Sequence, residues 1–193
     1  EINPPFPTAD DTITVIYTAT LGNGALSGFT GDIYAHTGLI TSKSSSATDW
    51  KYTQGTWGTA DAKVKMTSLG NNRYKIKYHI RSFYGLSLGE TILKLAFVFR
   101  NVTGTLVGRE TDGSDIFYNF PSSGFSAQII SHTTSYSFAK LKDSIFITGA
   151  ASSKANLELL INGVSVEKDT GTSITHTFIV NTCLLYTSDA ADE

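Results

Sequence analysis

Aromatic and polar side chains that could bind a ligand concentrate between Gly31 and Trp57. This stretch contains both tryptophans of the chain, two of its nine tyrosines and one of its four histidines. Short β-type segments carry these rings, and glycine-rich or serine-rich loops separate the segments. A pyranose presents an apolar C–H face framed by hydroxyl groups, and burying that face on an aromatic ring is favourable. The pattern therefore indicates recognition of a flat, weakly charged ligand such as a sugar.

Four residues of this stretch are candidates for carbohydrate binding. Tyr34 and His36 share one face of a predicted strand, Ile33–Thr37, because side chains alternate along a strand. Either Trp50 or Trp57 could add an indole platform to that face, and the other could be a core ring, since tryptophan is usually well buried. His36 could bond a ligand or be an ordinary surface histidine, and no Ser/Asp motif for a catalytic triad accompanies it.

The last eleven residues, Cys183–Glu193, match in order the translation of a transposase adapter used in short-read sequencing libraries. We therefore predict that they are a non-native tail and exclude them from fold reasoning. The natural sequence is then expected to continue beyond Thr182. The single cysteine falls in this tail, so neither a disulfide framework nor a thiol site is expected.

Charge and hydropathy argue against nucleic acid and membranes as partners of this chain. Without Asp189, Asp192 and Glu193, 15 basic residues face 14 acidic ones. This balance predicts no binding to nucleic acid or to an anionic membrane. No apolar run approaches the ~20 residues that a membrane span needs. The chain starts at Glu1 rather than Met, so the missing leader peptide says nothing about export.

The carboxylates form two groups, Asp10-Asp11 before a predicted strand and Glu110, Asp112 and Asp115 around a glycine. Oxygen-rich loops can bind calcium, but Asp112-Gly113 is also ordinary turn chemistry. No facing pair of acids for glycoside hydrolysis is evident, and we expect Arg100 and Arg109 to be rim or ion-pair residues. The sequence therefore predicts no catalytic residue, no metal ligand and no cofactor.

Alternating hydrophobicity predicts an all-β chain. Arg73–Ile80 alternates apolar with basic residues, and Thr12–Thr18 has the same period. Ile92–Arg100 is a further strand, in which four residues are expected to face inward: Leu93, Leu95, Phe97 and Phe99. Residues 80–86 could form one helical turn. With about seven or more short strands and no long helix, residues 1–120 are predicted to form an antiparallel β-sandwich.

A second domain is predicted from residue 121 to 182. Pro121-Ser-Ser-Gly124 marks its start. Five strand candidates follow: Phe125–Ser131, Ser144–Gly149, Asn156–Asn162, Val164–Lys168 and Ser173–Val180. Asn162-Gly163 is a two-residue hairpin signal. About 60 natural residues are fewer than the roughly 100 of a complete immunoglobulin-like domain, so we predict a truncated immunoglobulin-like β-sandwich.

Six motifs occur in order along the chain: Asp10-Asp11, Gly31-Asp-Ile-Tyr-Ala-His-Thr-Gly, Asp49-Trp50-Lys51-Tyr52, Thr67-Ser-Leu-Gly-Asn-Asn, Leu95-Ala-Phe-Val-Phe-Arg and Gly113-Ser-Asp-Ile-Phe. Together they resemble the N-terminal region of secreted, multimodular bacterial α-amylase-family glycoside hydrolases. In that family, a sandwich akin to starch-binding modules precedes an immunoglobulin-like domain and a catalytic barrel. The resemblance covers about residues 5–182.

The resemblance implies a function for each part of the chain. Residues 1–120 would bind or position an α-glucan such as starch or glycogen, through Tyr34, His36 and one of Trp50 and Trp57. Residues 121–182 would position a missing C-terminal catalytic domain of the same chain. The protein would be secreted or displayed on a bacterial cell surface. Two alternatives remain, purely structural spacer domains with buried aromatic rings, and a surface glycan-binding protein without an attached enzyme.

Overall fold

The computed structural model describes residues 1–121, 124–131 and 139–181, which form two compact units, Glu1–Gly124 and a second unit that begins at Phe125. Strands dominate both units, which confirms the predicted all-β class. No helix in these ranges is long and apolar enough to cross a membrane. The predicted non-native tail, Cys183–Glu193, and Thr182 lie outside the described residues.

The described residues of the first unit, 1–121 and 124, contain nine strands. In chain order they are β1 (Ile2–Asn3), β2 (Thr12–Thr18), β3 (Ile33–Thr41), β4 (Lys51–Gln54), β5 (Thr67–Gly70), β6 (Arg73–His79), β7 (Ile92–Asn101), β8 (Val107–Gly108) and β9 (Ile116–Asn119). A 3-10 helix, Ala62–Val64, lies between β4 and β5, and the α-helix α1 (Ile80–Tyr84) follows β6 directly. This short helix confirms the turn predicted within residues 80–86.

The nine strands form two antiparallel sheets. One is a four-stranded sheet in the order β1-β2-β6-β5, and the other is a five-stranded sheet in the order β4-β3-β7-β8 with β9 also paired to β7. The inward residues of β2 and β6 and those of β3 and β7 belong to one hydrophobic cluster. The sandwich predicted for this part of the chain is therefore confirmed.

Leu93 of β7 was predicted to face inward, and this prediction is wrong, because Leu93 is 47% exposed. The reason is a register shift against β3, where Ile40 pairs with Lys94 and Thr41 pairs with Ile92. Leu93 is thus the extra residue of a bulge, and a bulge changes the side toward which a side chain points. The other three residues expected inward on β7 are buried.

Both ends of α1 have capping interactions. His79 caps the N-terminus, where its Nδ1 accepts a hydrogen bond from the Ser82 N–H at 3.4 Å. Gly85 ends the helix in the left-handed conformation, with φ 69°, and its N–H donates to the Arg81 carbonyl. These caps explain why five residues suffice for a helix at this corner of the sandwich.

The second unit, where described, is one antiparallel sheet of β10 (Ala127–Ile129), β11 (Ser144–Ile161) and β12 (Val164–Ile179). The predicted Asn162-Gly163 hairpin is confirmed, with φ angles of 52° and 79° at the two turn residues. Four of the predicted segments fuse pairwise into two long strands, because a bulge after Ala150 lets the pairing continue past polar residues. The immunoglobulin-like assignment of residues 121–182 stays a prediction.

Candidate functional site

The outer face of the five-stranded sheet carries the candidate site. On this face His36 of β3 lies opposite Val98 of β7, and Gly38 lies opposite Ala96. Thr37 between them is fully buried on the other side of the sheet, where Ala35 and Leu39 of β3 belong to the hydrophobic core. The loops before β4 and after β4 bring the two tryptophans over this outer face, so the site combines a rigid floor with walls made by loops.

A shallow groove of about 240 Å³ lies over this floor. Its lining residues are His36, Thr48, Trp50, Trp57, Val98, Arg109 and Asp115. The His36 ring stacks on Trp50, with centroids 5.9 Å apart and planes inclined by 28°. The same ring meets Trp57 edge-on, at 5.2 Å and 89°. Three of the four sequence-predicted residues therefore come together in one aromatic cluster.

Trp57 is the more open of the two tryptophans, with 46% of its surface exposed. Its ring packs over the Arg100 guanidinium, whose Cζ lies 5.7 Å from the ring centroid. It also lies against Gly104, where a Cβ would come within 2.5 Å of the indole Nε1. Trp57 is thus held in place by its neighbours while nearly half of it stays accessible to a ligand.

Trp50 is half-buried and packs against the backbone of β3. A Cβ on Gly38 would lie 3.2 Å from the Trp50 ring carbon Cε3, so the glycine makes room for the indole. The preceding loop is fixed by Asp49, whose carboxylate accepts from the Ser45 N–H at 2.8 Å and from its hydroxyl at 2.9 Å. Trp50 therefore forms a fixed end wall of the groove.

His36 has a defined hydrogen-bonding state. Its Nδ1 lies 2.6 Å from the Gly55 carbonyl oxygen. A carbonyl only accepts, so Nδ1 must carry the proton, and Nε2 of the neutral ring is left as an acceptor. His36 can thus accept a hydrogen bond from a ligand hydroxyl while its ring extends the aromatic surface between the two indoles.

The expectation that Tyr34 offers its ring to a ligand is wrong, since the residue is 3% exposed. Tyr34 does alternate with the core residues as predicted, but Arg100 covers it, with Cζ 5.3 Å from the ring centroid. Arg100 lies directly opposite Tyr34 across the β3–β7 pair. The prediction that Arg100 is a rim or ion-pair residue is also wrong, because its side chain is fully buried and its guanidinium donates to backbone carbonyl oxygens.

Arg109 and Asp115 form the polar wall of the groove and are joined by an ion pair, as expected for Arg109. Arg109 directly follows β8, and Asp115 directly precedes β9. The pair brings donors and acceptors side by side with almost no net charge. Sequence reasoning grouped Asp115 with the acids around Gly113 and did not connect it with the aromatic stretch, because the contact depends on how β8 and β9 pair with β7.

The carboxylates considered for calcium have other partners. Asp10 accepts two hydrogen bonds from Arg81, at 2.5 and 3.1 Å. The Asp112 carboxylate accepts from the Ser114 N–H at 2.9 Å, as in an ordinary turn. Within residues 1–121, 124–131 and 139–181, no three His, Cys, Asp or Glu side chains are grouped closely enough to hold a metal ion.

The strand that follows Trp50 is anchored through Tyr52 and Glu90. Tyr52 has φ 55° at a shift in the β3–β4 register. Its hydroxyl and the Lys43 ammonium, the latter at 2.9 Å, both donate to the Glu90 carboxylate, whose side chain is 2% exposed. These hydrogen bonds lower the pKa of Glu90 from its ordinary 4.5 to about 2, with the largest contribution from Tyr52 and the second largest from Lys43.

This pKa predicts how acid affects the first unit. The pKa of Glu90 is lower in the folded than in the unfolded chain, so its stabilising effect is complete above about pH 4.5. The effect is lost as the pH falls from there toward 2. Urea unfolding followed by tryptophan fluorescence should show a shallower loss between pH 5 and 2 for Glu90→Gln than for the parent. Glu110→Gln is the control, and equal pH slopes for all three proteins would contradict the assignment.

A family model described as a domain of unknown function (DUF8578) matches residues 1–107. The matched range contains both tryptophans, His36 and Tyr34, and it ends just before Arg109. No curated protein matches the chain.

Proposed function

The chain belongs to the family described as a domain of unknown function (DUF8578), and we propose that it binds a neutral carbohydrate chain in the groove between Trp50 and Trp57. The observation that carries the proposal is the accessible Trp57 ring, held beside His36 at 5.2 Å in a groove with a charged but balanced wall. In this proposal the binding is non-catalytic.

The chemistry of the groove suits a sugar better than a charged or wholly apolar ligand. The indole of Trp57 supplies an apolar surface for a pyranose C–H face. His36 Nε2 supplies an acceptor, and the Arg109–Asp115 pair supplies donors and acceptors at one edge. These groups match the alternating C–H and O–H groups of a pyranose. The mixed signs of charge favour a neutral ligand over an anion or a cation.

We propose α-glucan as the carbohydrate, on the basis of the ordered motifs that resemble accessory regions of α-amylase-family enzymes. In that arrangement the module would be secreted or displayed at the cell surface and joined to a catalytic domain. Binding to a polysaccharide would then hold the catalytic domain near its substrate. Tethering by a short flexible linker gives effective concentrations on the order of millimolar, so a weak groove would suffice.

A structural spacer is the second candidate, and the packing of Trp57 favours it. One side of the indole already contacts Arg100 and Gly104, so the ring would stabilise the loop after β4 even without a ligand. The two candidates differ in what removal of the ring does. A spacer would lose stability and bind no glucan, whereas a binding module would also lose affinity for soluble starch.

We expect Trp57→Ala to weaken binding to soluble starch about tenfold. A sugar that covers about a third of the 150–250 Å² which a large aromatic ring can bury, at about 25 cal/mol per Å², gains about 1.3–2.1 kcal/mol. This energy corresponds to a factor of about 8 to 35. The measurement is affinity electrophoresis of the full chain in gels that contain increasing concentrations of starch.

Phe125→Ala is the matched control, because Phe125 is another exposed aromatic residue, 60% exposed, and lies in the second unit. Its removal should leave retardation in starch gels unchanged. Identical retardation of the parent and Trp57→Ala proteins would contradict binding at the groove. An unretarded parent protein would contradict α-glucan as the ligand, and gels with β-glucan or xylan would then test other neutral glycans.

A further inference from the structure

The two indoles of the groove meet at a steep angle. The His36 ring is inclined by 28° to Trp50 and by 89° to Trp57. The difference between these angles means that the two indole planes are inclined to each other by at least 61°. Because a pyranose buries its C–H face by lying parallel to an indole, a straight run of sugar residues cannot stack on both rings. The two tryptophans therefore form a corner and not one continuous platform.

The sides of this corner close the groove at both ends along β3. Side chains on one face of a strand recur at every second residue, so Tyr34, His36 and Gly38 form successive rows of the outer face. The guanidinium that covers Tyr34 also supports Trp57. At the other end, Trp50 packs on Gly38. The row of His36 lies between the two tryptophans as the floor of the groove.

The Arg109–Asp115 pair closes a third side. Continuing the registers of β8 and β9 by one residue places both partners beside Val98, which itself lies opposite His36. Neighbouring strands are ~4.8 Å apart, so roughly 10 Å separates the backbone of His36 from that of the pair. The enclosed volume of about 240 Å³ is below the ~300 to 1,000 Å³ of sites for drug-sized ligands. The corner therefore has room for one sugar residue and not for a length of chain.

The polar wall can bind two neighbouring hydroxyl groups. The ion pair joins one guanidinium nitrogen of Arg109, Nη1, to one carboxylate oxygen of Asp115, Oδ1. Among the described residues these two side-chain groups make no other hydrogen bond, so further donors and a second acceptor can bind a ligand. A carboxylate accepts and a guanidinium donates. Side by side, the two groups can therefore bind one hydroxyl as a donor and the adjacent hydroxyl as an acceptor.

We propose that the groove receives the non-reducing terminal residue of the α-glucan, an inference that rests on the carbohydrate binding proposed above. An interior residue continues into the chain at both C1 and C4, so it has to leave a corner with three closed sides in two directions. A terminal residue continues in one direction only. The non-reducing terminal residue also carries free adjacent hydroxyls at C3 and C4, which suit the Arg109–Asp115 pair. The rest of the glucan extends into solvent.

Maltohexaose and α-cyclodextrin test the proposal, because they contain the same number of 4-linked α-glucose residues and only maltohexaose has ends. α-Cyclodextrin is tightly curved, so it would bind if the inclined indoles stacked on successive interior residues. Each sugar is titrated into the ¹⁵N-labelled full chain, and the indole N–H signals of Trp50 and Trp57 are followed by NMR. We expect maltohexaose to bind at least about tenfold more tightly than α-cyclodextrin. Maltohexaitol, in which the reducing end is an open polyol, should bind as maltohexaose does.

Chain length gives an independent readout. The affinity per chain should agree within about threefold for maltotriose and long linear amylose, since each has one non-reducing end. Binding to interior residues would instead strengthen with the number of residues in the chain. Asp115→Ala should weaken maltohexaose about tenfold, the effect of one hydrogen bond to a charged group. Glu110→Ala removes a neighbouring exposed acid that does not line the groove, and it should bind as the parent does.

The outcomes separate this inference from the function on which it rests. Equal affinities for α-cyclodextrin and maltohexaose would overturn end recognition while carbohydrate binding stands. Loss of binding on reduction to maltohexaitol would also overturn it, because the reducing end would then be the one bound. Parent affinity in Asp115→Ala would overturn the role of the polar wall in the proposal. If no glucan shifts the two indole signals and starch does not retard the protein, carbohydrate binding itself is wrong and the inference with it.

Discussion

Replacing Arg100 with methionine is expected to lower the free energy of unfolding of the first unit by about 2–6 kcal/mol, because each buried acceptor that loses its donor costs about 1–3 kcal/mol. The guanidinium makes four hydrogen bonds to backbone carbonyl oxygens, those of Asn101, Val102, Thr56 and Thr59, at 3.1, 2.9, 2.6 and 3.0 Å. Methionine fills similar space but supplies no donor. The Asn101 oxygen still accepts from the Gly104 N–H and the Thr56 oxygen from the Thr59 hydroxyl, whereas the Val102 and Thr59 oxygens are left without a donor among the described residues. Burial lowers the pKa of Arg100 from its ordinary value.

Arg109→Met is the matched control, because it removes the same group from a half-exposed ion pair. Such pairs contribute about 0–1 kcal/mol. Urea unfolding followed by tryptophan fluorescence suits both variants, since Trp50 and Trp57 both lie in the first unit. Arg100→Lys should also be destabilised, because an ammonium cannot reproduce the planar fork of donors. Equal losses for Arg100→Met and Arg109→Met would contradict the structural role of Arg100.

The strands with one buried and one exposed face were predictable from the sequence. In β2 and β6 the alternation of apolar and polar residues matches the observed burial at each position, because the two faces of these strands meet different surroundings. The Asn162-Gly163 turn was predictable for a local reason, since both residues tolerate a positive φ. These features depend on a few neighbouring residues and on no distant contact.

The outer face of β3 was not predictable in the same way. Alternation places Tyr34 and His36 on one side, but it does not indicate that a residue of β7 covers Tyr34 and leaves His36 open. The cover is Arg100, which meets Tyr34 only through the register of β3 and β7. An arginine at a strand end was expected at the rim or in an ion pair. The carbonyls that bind it come from the end of β7, from Val102 and from the loop after β4, and none of them has a sequence signal of its own.

The choice between Trp50 and Trp57 was open for a related reason. Both lie in the loops that flank β4. Their exposure differs because Gly38 lets Trp50 pack against the sheet, whereas Trp57 rests on Arg100 and Gly104. Gly38 and Gly104, which contact Trp50 and Trp57, are distant in the chain from these tryptophans. Single-sequence patterns identify the aromatic residues of such a site but not which of them a ligand can reach.

Gly55→Ala is expected to damage the fold and the groove together. Gly55 has φ 91°, and a Cβ there would lie 2.7 Å from the Ala35 carbonyl oxygen and 3.0 Å from Val64 Cγ2. The left-handed conformation costs an alanine roughly 1–2 kcal/mol, and the overpacking adds about 1–3 kcal/mol. The free energy of unfolding of the first unit should therefore fall by about 2–5 kcal/mol, measured by urea unfolding.

The same substitution should weaken starch binding at temperatures where the variant is still folded. The Gly55 carbonyl accepts from His36, and residue 55 begins the loop that carries Trp57, so a shift of this backbone misplaces both rings. Gly58→Ala is the control that has the backbone strain without the steric clash. Gly58 also has a positive φ, 72°, but the atom nearest to a Cβ there would be 3.8 Å away. It should lose about 1–2 kcal/mol and bind within threefold of the parent. An equally strong loss of starch retardation in Gly58→Ala and Gly55→Ala would contradict the idea that the Gly55 carbonyl positions His36 and Trp57.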